Sequence, residues 1–226
     1  MDDMAGHGRS SDQAHAGDAA RPMTERNQDP KAAEEEFPLD DEAAPPGAFE
    51  APPLPQLTGD PQTIPDSCLS LSLPLLGAIH ACLPPAPGLS LSIGSGTGLV
   101  EALLDSLAGP HALRLASVEV APSPNKYHAA HRTVPGTWAL DGLAREAAAW
   151  LFVYPKQVGL VREYMAAYAA VGSVATVVYV GPRMDWDDFR GAFEPFARDV
   201  EVWSEERMEE VGGRAWECVA VIRPRK

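Results

Sequence analysis

The stretch that decides the fold is LSLSIGSGTGLVEALL, residues 89–104. Its first five residues form a short, mainly apolar run typical of a buried strand, and its last six have the apolar spacing of a helix. Gly94, Gly96 and Gly98 lie between the two. A glycine-rich turn lets a ligand approach the backbone, and the helix N-terminus beyond it offers free N–H donors. The stretch therefore predicts a ligand-binding turn in an α/β fold.

Short apolar runs alternate with helical patterns through the rest of the chain, which is typical of strand–helix–strand units and a mainly parallel sheet. Seven strands are predicted, at residues 89–93, 113–120, 132–134, 149–154, 173–180, 199–203 and 215–222. Helices are predicted at residues 67–83, 99–108, 124–130, 139–146, 157–170 and 186–197. The segment EERMEEVGGR leaves no room for a helix, so the last two strands are expected to form an antiparallel pair at one edge.

The acidic charge of the chain is concentrated near its beginning. Residues 1–66 contain 15 Asp or Glu, 4 Lys or Arg and 10 of the 22 prolines, with almost no periodic apolar spacing. Such a composition buries too little apolar surface to offset the entropy of ordering. We therefore expect residues 1–62 to be a disordered acidic, Pro-rich tail and residues 63–226 to form the α/β domain.

Charge and cysteine content exclude several classes of protein. The formal net charge of −14 argues against a protein that binds bulk nucleic acid. The three cysteines fit neither a disulfide framework nor a zinc site. The chain starts without the pattern of a signal peptide, and it contains no apolar run of about 18 residues that would span a membrane. An intracellular protein, cytoplasmic or nuclear and not bound to membranes, is expected.

A second feature strengthens the interpretation of the glycine-rich turn. Glu119 ends the next strand, 21 residues after Gly98. A carboxylate at this place can accept hydrogen bonds from both hydroxyls of a ribose lying over the turn. The dinucleotide fingerprint GxGxxG fails, because Leu99 stands where its third glycine should be. The pattern is GxGxG instead.

The strand, GxGxG turn, helix, second strand with its terminal acid, and final antiparallel pair resemble the class I S-adenosylmethionine-dependent methyltransferases. The resemblance covers roughly residues 67–223 and implies a Rossmann-like sheet with S-adenosylmethionine (SAM) as cofactor. By this resemblance Glu119 binds the ribose, and the turn borders the methionine part of SAM through Gly94, Ser95, Gly96 and Gly98. The family usually has an acid two residues before the first glycine, where this chain has Ser92. Ser92 can form a hydrogen bond to the cofactor but supplies no charge.

The same resemblance implies where the adenine would lie. Val120, directly after the ribose acid, would form part of the wall beside the adenine ring. Either Thr137 or Asp141 would face the adenine amine, and Trp138 could cover the face of the ring.

Two residues are candidates for catalysis. Tyr154 follows the fourth strand, at the sheet edge where a substrate would lie. His128 could act as a base, and it lies three residues before His131; the absence of a third ligand with suitable spacing argues against a metal site. The segment VYPKQ after the fourth strand lacks the acid or Asn, Pro-Pro and aromatic of amino-methylating relatives, so adenine or cytosine methylation is poorly supported.

The sequence thus predicts a SAM-dependent methyltransferase that acts on a small-molecule or protein acceptor. A noncatalytic methyltransferase-like scaffold or regulatory domain is the alternative. No inserted lid is evident, so the site should be open, which suits a bulky acceptor or a protein partner that completes it.

Overall fold

The structure is a computed structural model that describes residues 49–107 and 109–226. The strands are β1 Leu89–Ile93, β2 Arg114–Val120, β3 His131–Val134, β4 Ala149–Val153, β5 Thr176–Pro182, β6 Ala197–Val202 and β7 Glu217–Pro224. The α-helices are α1 Leu73–Cys82, α2 Leu99–Ser106, α3 Val158–Tyr168, α4 Trp186–Phe193 and α5 Glu205–Glu210. Single 3₁₀ turns occur at Gly142–Arg145, Arg183–Asp185 and Glu194–Phe196.

The strands form one seven-stranded sheet in the order β3-β2-β1-β4-β5-β7-β6. Strands β1 to β5 are parallel, whereas β7 lies between β5 and β6 and is antiparallel to both. This arrangement confirms the predicted Rossmann-like sheet with an antiparallel last strand. The strand order reverses between β1 and β4, and ligands of such sheets bind at the carboxyl ends of the strands on either side of that point.

The core consists of two apolar layers, one on each face of the sheet. Every residue of β1 is buried, which fits a central parallel strand covered on both sides. Leu91 and Trp150 belong to the layer beneath α3 and α4, and Leu151 belongs to the layer beneath α1 and α2. Burial of each large side chain contributes roughly 1.5–3 kcal/mol, so the two layers hold the ends of β1 and β4 in place.

Three predicted helical segments differ in the structure. The first helix begins at Leu73 rather than at residue 67, because Pro74 is tolerated only in a first turn and Ser72 caps it by accepting the N–H of Leu75. The helix predicted over residues 124–130 was wrong, and the backbone there is irregular. Asn125 Oδ1 accepts the N–H of His128 (3.3 Å), so a side chain replaces a helical backbone acceptor. Over residues 139–146 there is only a 3₁₀ turn.

The expectation that no helix separates the last two strands was also wrong. Helix α5 occupies this connection, with Ser204 as its N-cap accepting the N–H of Arg207 at 3.2 Å. Gly212 follows with a φ of +73°, which reverses the chain towards β7. The predicted antiparallel pairing of β6 with β7 is nevertheless present.

Residues 49–62, assigned from the sequence to the tail, lie within the described range. Leu54 and Leu57 are partly buried against the layer beneath α1. The carbonyl of Thr58 accepts the N–H of Leu73 (2.9 Å), and residues 62 and 71 exchange two backbone hydrogen bonds. Apolar contacts therefore order this part of the segment. The disorder predicted for residues 1–48 concerns a part of the chain outside the described residues. Within the described ranges, no helix has both the length and the apolar character needed to cross a bilayer.

Candidate cofactor and acceptor sites

The glycine-rich turn joins β1 to α2, and all three of its glycines adopt left-handed backbone conformations. Their φ angles are +77° at Gly94, +57° at Gly96 and +77° at Gly98. A Cβ added at Gly94 or Gly96 would meet no atom within 4 Å, so space is open beside this backbone. A Cβ at Gly98 would lie 2.1 Å from Asn125 Oδ1, which means that the third glycine is needed for close packing. The turn therefore presents its first two glycines to a ligand.

Glu119, at the end of β2, lies against this turn. Its Oε2 accepts the N–H of Gly96 at 2.8 Å, and its Oε1 accepts the N–H of Val120 at 2.8 Å. Parallel pairing of β1 with β2 brings the two ends together. The partly buried carboxylate keeps further lone-pair sites for hydroxyl donors, as ribose recognition requires.

A small cavity of about 20 Å³ lies beside Glu119 and is called the turn cavity here. Its wall includes Gly94, Glu119, Val120 and Thr137, with Tyr164 behind them. Three predicted cofactor residues outside the glycine pattern, Glu119, Val120 and Thr137, thus meet at one cavity.

Two other residues predicted beside the adenine do not line the turn cavity. Asp141 is buried, accepts the N–H of Leu143 and the Nε–H of Arg132 (2.7 Å), and does not line the turn cavity. Trp138 is 76% exposed and does not itself line the turn cavity, although it packs on Gly136, which does. Of the two alternatives for the adenine amine, Thr137 is therefore the one at the cavity.

Ser92 does not line the turn cavity, and its hydroxyl points to a carboxylate that the sequence analysis missed. Ser92 is fully buried and donates to Oε1 of Glu101, which is itself 1% exposed. Burial raises the pKa of Glu101, and its Oε2 has no hydrogen-bond partner among the described residues. The charge within the apolar run LVEALL was the available signal for this residue.

Ser95 lies in the turn itself, between the first two glycines. Its hydroxyl is buried and has no hydrogen-bond partner within the described ranges. Because a buried polar group without a partner is costly, a ligand that hydrogen-bonds to Ser95 would gain from it.

His128 belongs to a buried network behind the turn. Its Nδ1 lies 2.8 Å from Ser117 Oγ, its Nε2 lies 3.1 Å from Asp105 Oδ2, and the residue is 3% exposed. His131 Nδ1 also contacts Ser117 Oγ, at 3.0 Å. His128 lines neither the turn cavity nor the crevice at the carboxyl ends of β4 and β5, so its geometry does not match that of a base facing a substrate. Among the described residues, no group of three or more His, Cys, Asp or Glu side chains could hold a metal ion.

An open crevice of about 380 Å³ lies at the carboxyl ends of β4 and β5 and is called the β4–β5 crevice. Its lining residues include Cys68, Tyr154, Lys156, Asp185, Asp188 and Phe189. Its volume falls within the range of roughly 300–1,000 Å³ usual for ligand pockets. The crevice and the turn cavity lie on opposite sides of the point where the strand order reverses.

Tyr154 is the most unusual residue of this crevice. Its φ is +50°, and among the described residues it is the one non-glycine residue with a left-handed backbone. Such a conformation costs about 1–3 kcal/mol and is concentrated at functional sites. Its hydroxyl donates to Oε1 of Glu217 at 2.7 Å. Burial, and then the hydrogen bond to Glu217, raise the pKa of Tyr154. Sequence reasoning missed Glu217, which is 63 residues away.

The segment before α1 lies against the outside of the turn. Thr97 Oγ1 donates to the carbonyl of Asp66 at 2.7 Å. The Asp66 carboxylate accepts from the hydroxyl of Tyr127 and pairs with Lys126, each at 2.8 Å. The hydrogen bond from Lys126, followed by that from Tyr127, lowers the pKa of Asp66. These contacts fix the segment before α1 against the turn.

The chain was compared with known proteins. No protein-family model matches it, and no curated protein matches it. Several solved structures do match this chain. The methyltransferase domain of a bacterial Hen1 (CtHen1) shares 11% identity, with 66% of this chain and 96% of that one covered and a TM-score of 0.46. A TehB-like SAM-dependent methyltransferase from Corynebacterium glutamicum shares 13% identity over 67% and 88%, with a TM-score of 0.48.

A predicted O-methyltransferase from Agrobacterium tumefaciens is also similar, at 10% identity over 66% of this chain and 81% of that one, with a TM-score of 0.45. The Rossmann-like fold follows from the strand order of the chain itself. No acceptor follows from these similarities, so the proposals below rest on the residues of this chain.

Proposed function

We propose that this protein binds SAM and transfers its methyl group to a small-molecule or protein acceptor. The observation that carries the proposal is the Glu119 carboxylate bonded to Gly96 N–H, where β1 and β2 end beside an open cavity. This is the place where a nucleoside binds in such sheets. Bound SAM would supply the reactive methyl group on its sulfonium.

Three features of the chain fit this cofactor. Gly94 and Gly96 leave room beside the backbone, and Ser95 offers an unsatisfied hydroxyl. Glu119 and Thr137 would take the ribose and the adenine. Glu101, next to Ser92 and beside the turn, would provide the acidic group that Ser92 lacks, because SAM carries positive charge at its ammonium and sulfonium.

In this proposal the protein acts chiefly by alignment. The cofactor would lie over β1 and β2, and the acceptor would enter the β4–β5 crevice across the reversal point, with Tyr154 against it. Holding the two reactants in line removes much of the entropic part of the barrier.

The test is calorimetric titration of SAM and S-adenosylhomocysteine into the full-length protein. Micromolar binding that falls in Glu119→Gln but not in Glu209→Gln, an exposed acid on α5, supports the proposal. A folded protein that binds neither compound overturns it.

A noncatalytic scaffold is the second candidate. The turn cavity, about 20 Å³, is far below the range of roughly 300–1,000 Å³ usual for pockets that enclose a ligand, and this favours the scaffold. Absence of cofactor binding in the same titration would support it.

We also propose an intracellular location, because Cys68, Cys82 and Cys218 are all free, as expected in a reducing compartment. Cell fractionation checks this.

A further inference from the structure

The Tyr154 hydroxyl in the β4–β5 crevice is held by a carboxylate that no solvent reaches. Glu217 is fully buried, and its Oε1 accepts both the Tyr154 hydroxyl (2.7 Å) and the N–H of Ser70 (2.9 Å). Its Oε2 has no hydrogen-bond partner among the described residues. A carboxylate buried so completely is expensive unless it has a role or a further partner.

This bond determines what the Tyr154 oxygen can offer a ligand. The single hydroxyl proton is already donated to Glu217, so the Tyr154 oxygen has only lone pairs left for a ligand. A ligand group that meets Tyr154 must therefore be a hydrogen-bond donor.

The charges around the crevice favour the same kind of ligand. Asp185 and Asp188 line it, and neither carboxylate forms an ion pair with a described residue. Lys156 is the single basic residue among the lining side chains. The two carboxylates outnumber the one ammonium, which favours a cation and disfavours a carboxylate or phosphate.

We propose that the β4–β5 crevice binds a primary aliphatic amine, as its ammonium ion, on the oxygen of Tyr154. This inference rests on the proposed function for its chemical step and names the acceptor class. Tyr154 would be a catalytic residue, and Glu217 a positioning residue that acts through it.

The step balances as follows. The ammonium gives one proton to the Tyr154 oxygen while the Tyr154 hydroxyl proton passes to Glu217, which leaves a neutral amine. The nitrogen lone pair then attacks the methyl carbon, the N–C bond forms, and the S–C bond pair stays on sulfur. The products are the protonated N-methylated amine and neutral S-adenosylhomocysteine, and Glu217 afterwards returns its proton to the Tyr154 oxygen, which releases one proton to the crevice.

Two probes of equal chain length and opposite charge test the binding: n-butylammonium and butyrate. Each is titrated into full-length protein carrying ¹³Cζ-labelled tyrosine, with and without S-adenosylhomocysteine. The Tyr154 resonance is assigned by its loss in Tyr154→Phe. We expect n-butylammonium to shift this resonance with a millimolar dissociation constant, and butyrate to leave it unchanged.

Neighbouring aspartates on α4 provide a matched pair of variants. Asp188 lines the crevice, whereas Asp187 is exposed outside it, next to Arg190. Both lie in the first turn of α4, so both substitutions to Asn change the helix N-terminus alike. Asp188→Asn should weaken n-butylammonium binding about tenfold, the loss expected for one charged contact, and Asp187→Asn should not.

Turnover measurements test the role of Glu217 and show whether the amine belongs to a small molecule or to a protein. Methyl transfer from labelled SAM is measured to n-butylamine and to a lysine-containing peptide, which separates a small-molecule from a protein acceptor. Glu217→Gln keeps the shape of the side chain, so it should lower kcat for n-butylamine with little change in KM.

Absence of n-butylammonium binding, equal binding of butyrate, or an unchanged affinity in Asp188→Asn would each overturn the amine site. SAM binding without amine binding would remove this inference and leave the proposed function intact. Amine binding without SAM binding would overturn the proposed function and, with it, the methylation step.

Discussion

Replacing Glu119 by Gln is expected to weaken SAM and S-adenosylhomocysteine binding by about 10- to 100-fold. The carboxylate lies 2.8 Å from the N–H groups of Gly96 and Val120. Gln keeps one acceptor oxygen but turns an NH₂ group towards one of these donors or towards the ribose. Hydrogen bonds to a charged group contribute about 1.5–3 kcal/mol, and about 1.4 kcal/mol corresponds to a tenfold change in affinity.

Calorimetry of the full-length protein measures the change, and thermal unfolding verifies that each variant is folded. Glu209→Gln is the control, since it removes one exposed negative charge from α5, outside the turn cavity. A Glu119→Gln protein that is folded and binds S-adenosylhomocysteine within twofold of the parent would refute the assignment of Glu119 to the ribose.

The other predictions concern stability. Gly96→Ala should cost about 1 kcal/mol, for its left-handed backbone alone, whereas Gly98→Ala should cost more than about 2 kcal/mol because its Cβ also meets Asn125; equal losses in urea unfolding would contradict this. Burial raises the pKa of Glu101 above its ordinary value of 4.5. The folded protein therefore loses stability as the pH rises above 4.5, because this carboxyl ionises more readily in the unfolded chain. Glu101→Gln should therefore gain in melting temperature over the parent between about pH 5 and about pH 8, and a constant difference would argue against a buried charge. His128→Phe should lose about 1–3 kcal/mol, because Asp105 loses its partner and Ser117 keeps only His131, with S-adenosylhomocysteine affinity unchanged; a fall in affinity without a loss of stability would assign His128 to the site instead.

The helix predicted over residues 124–130 and the missed helix α5 show where local patterns mislead. In the first segment, side-chain bonds from Asn125 replace a helical ladder. In the second, a serine cap and six residues suffice for a helix between two paired strands. Both outcomes depend on partners that apolar spacing does not report.

The sequence by itself determined the seven-stranded α/β sheet, the GxGxG turn and the place of Glu119. Each of these depends on local features, namely apolar periodicity, the left-handed glycines and an acid at the end of a strand. Only the tertiary structure decided that Ser92 binds Glu101, that His128 is buried in a network, and that Tyr154 donates to Glu217. These pairings join residues on different elements, and no spacing along the chain encodes which side chains a folded sheet brings together.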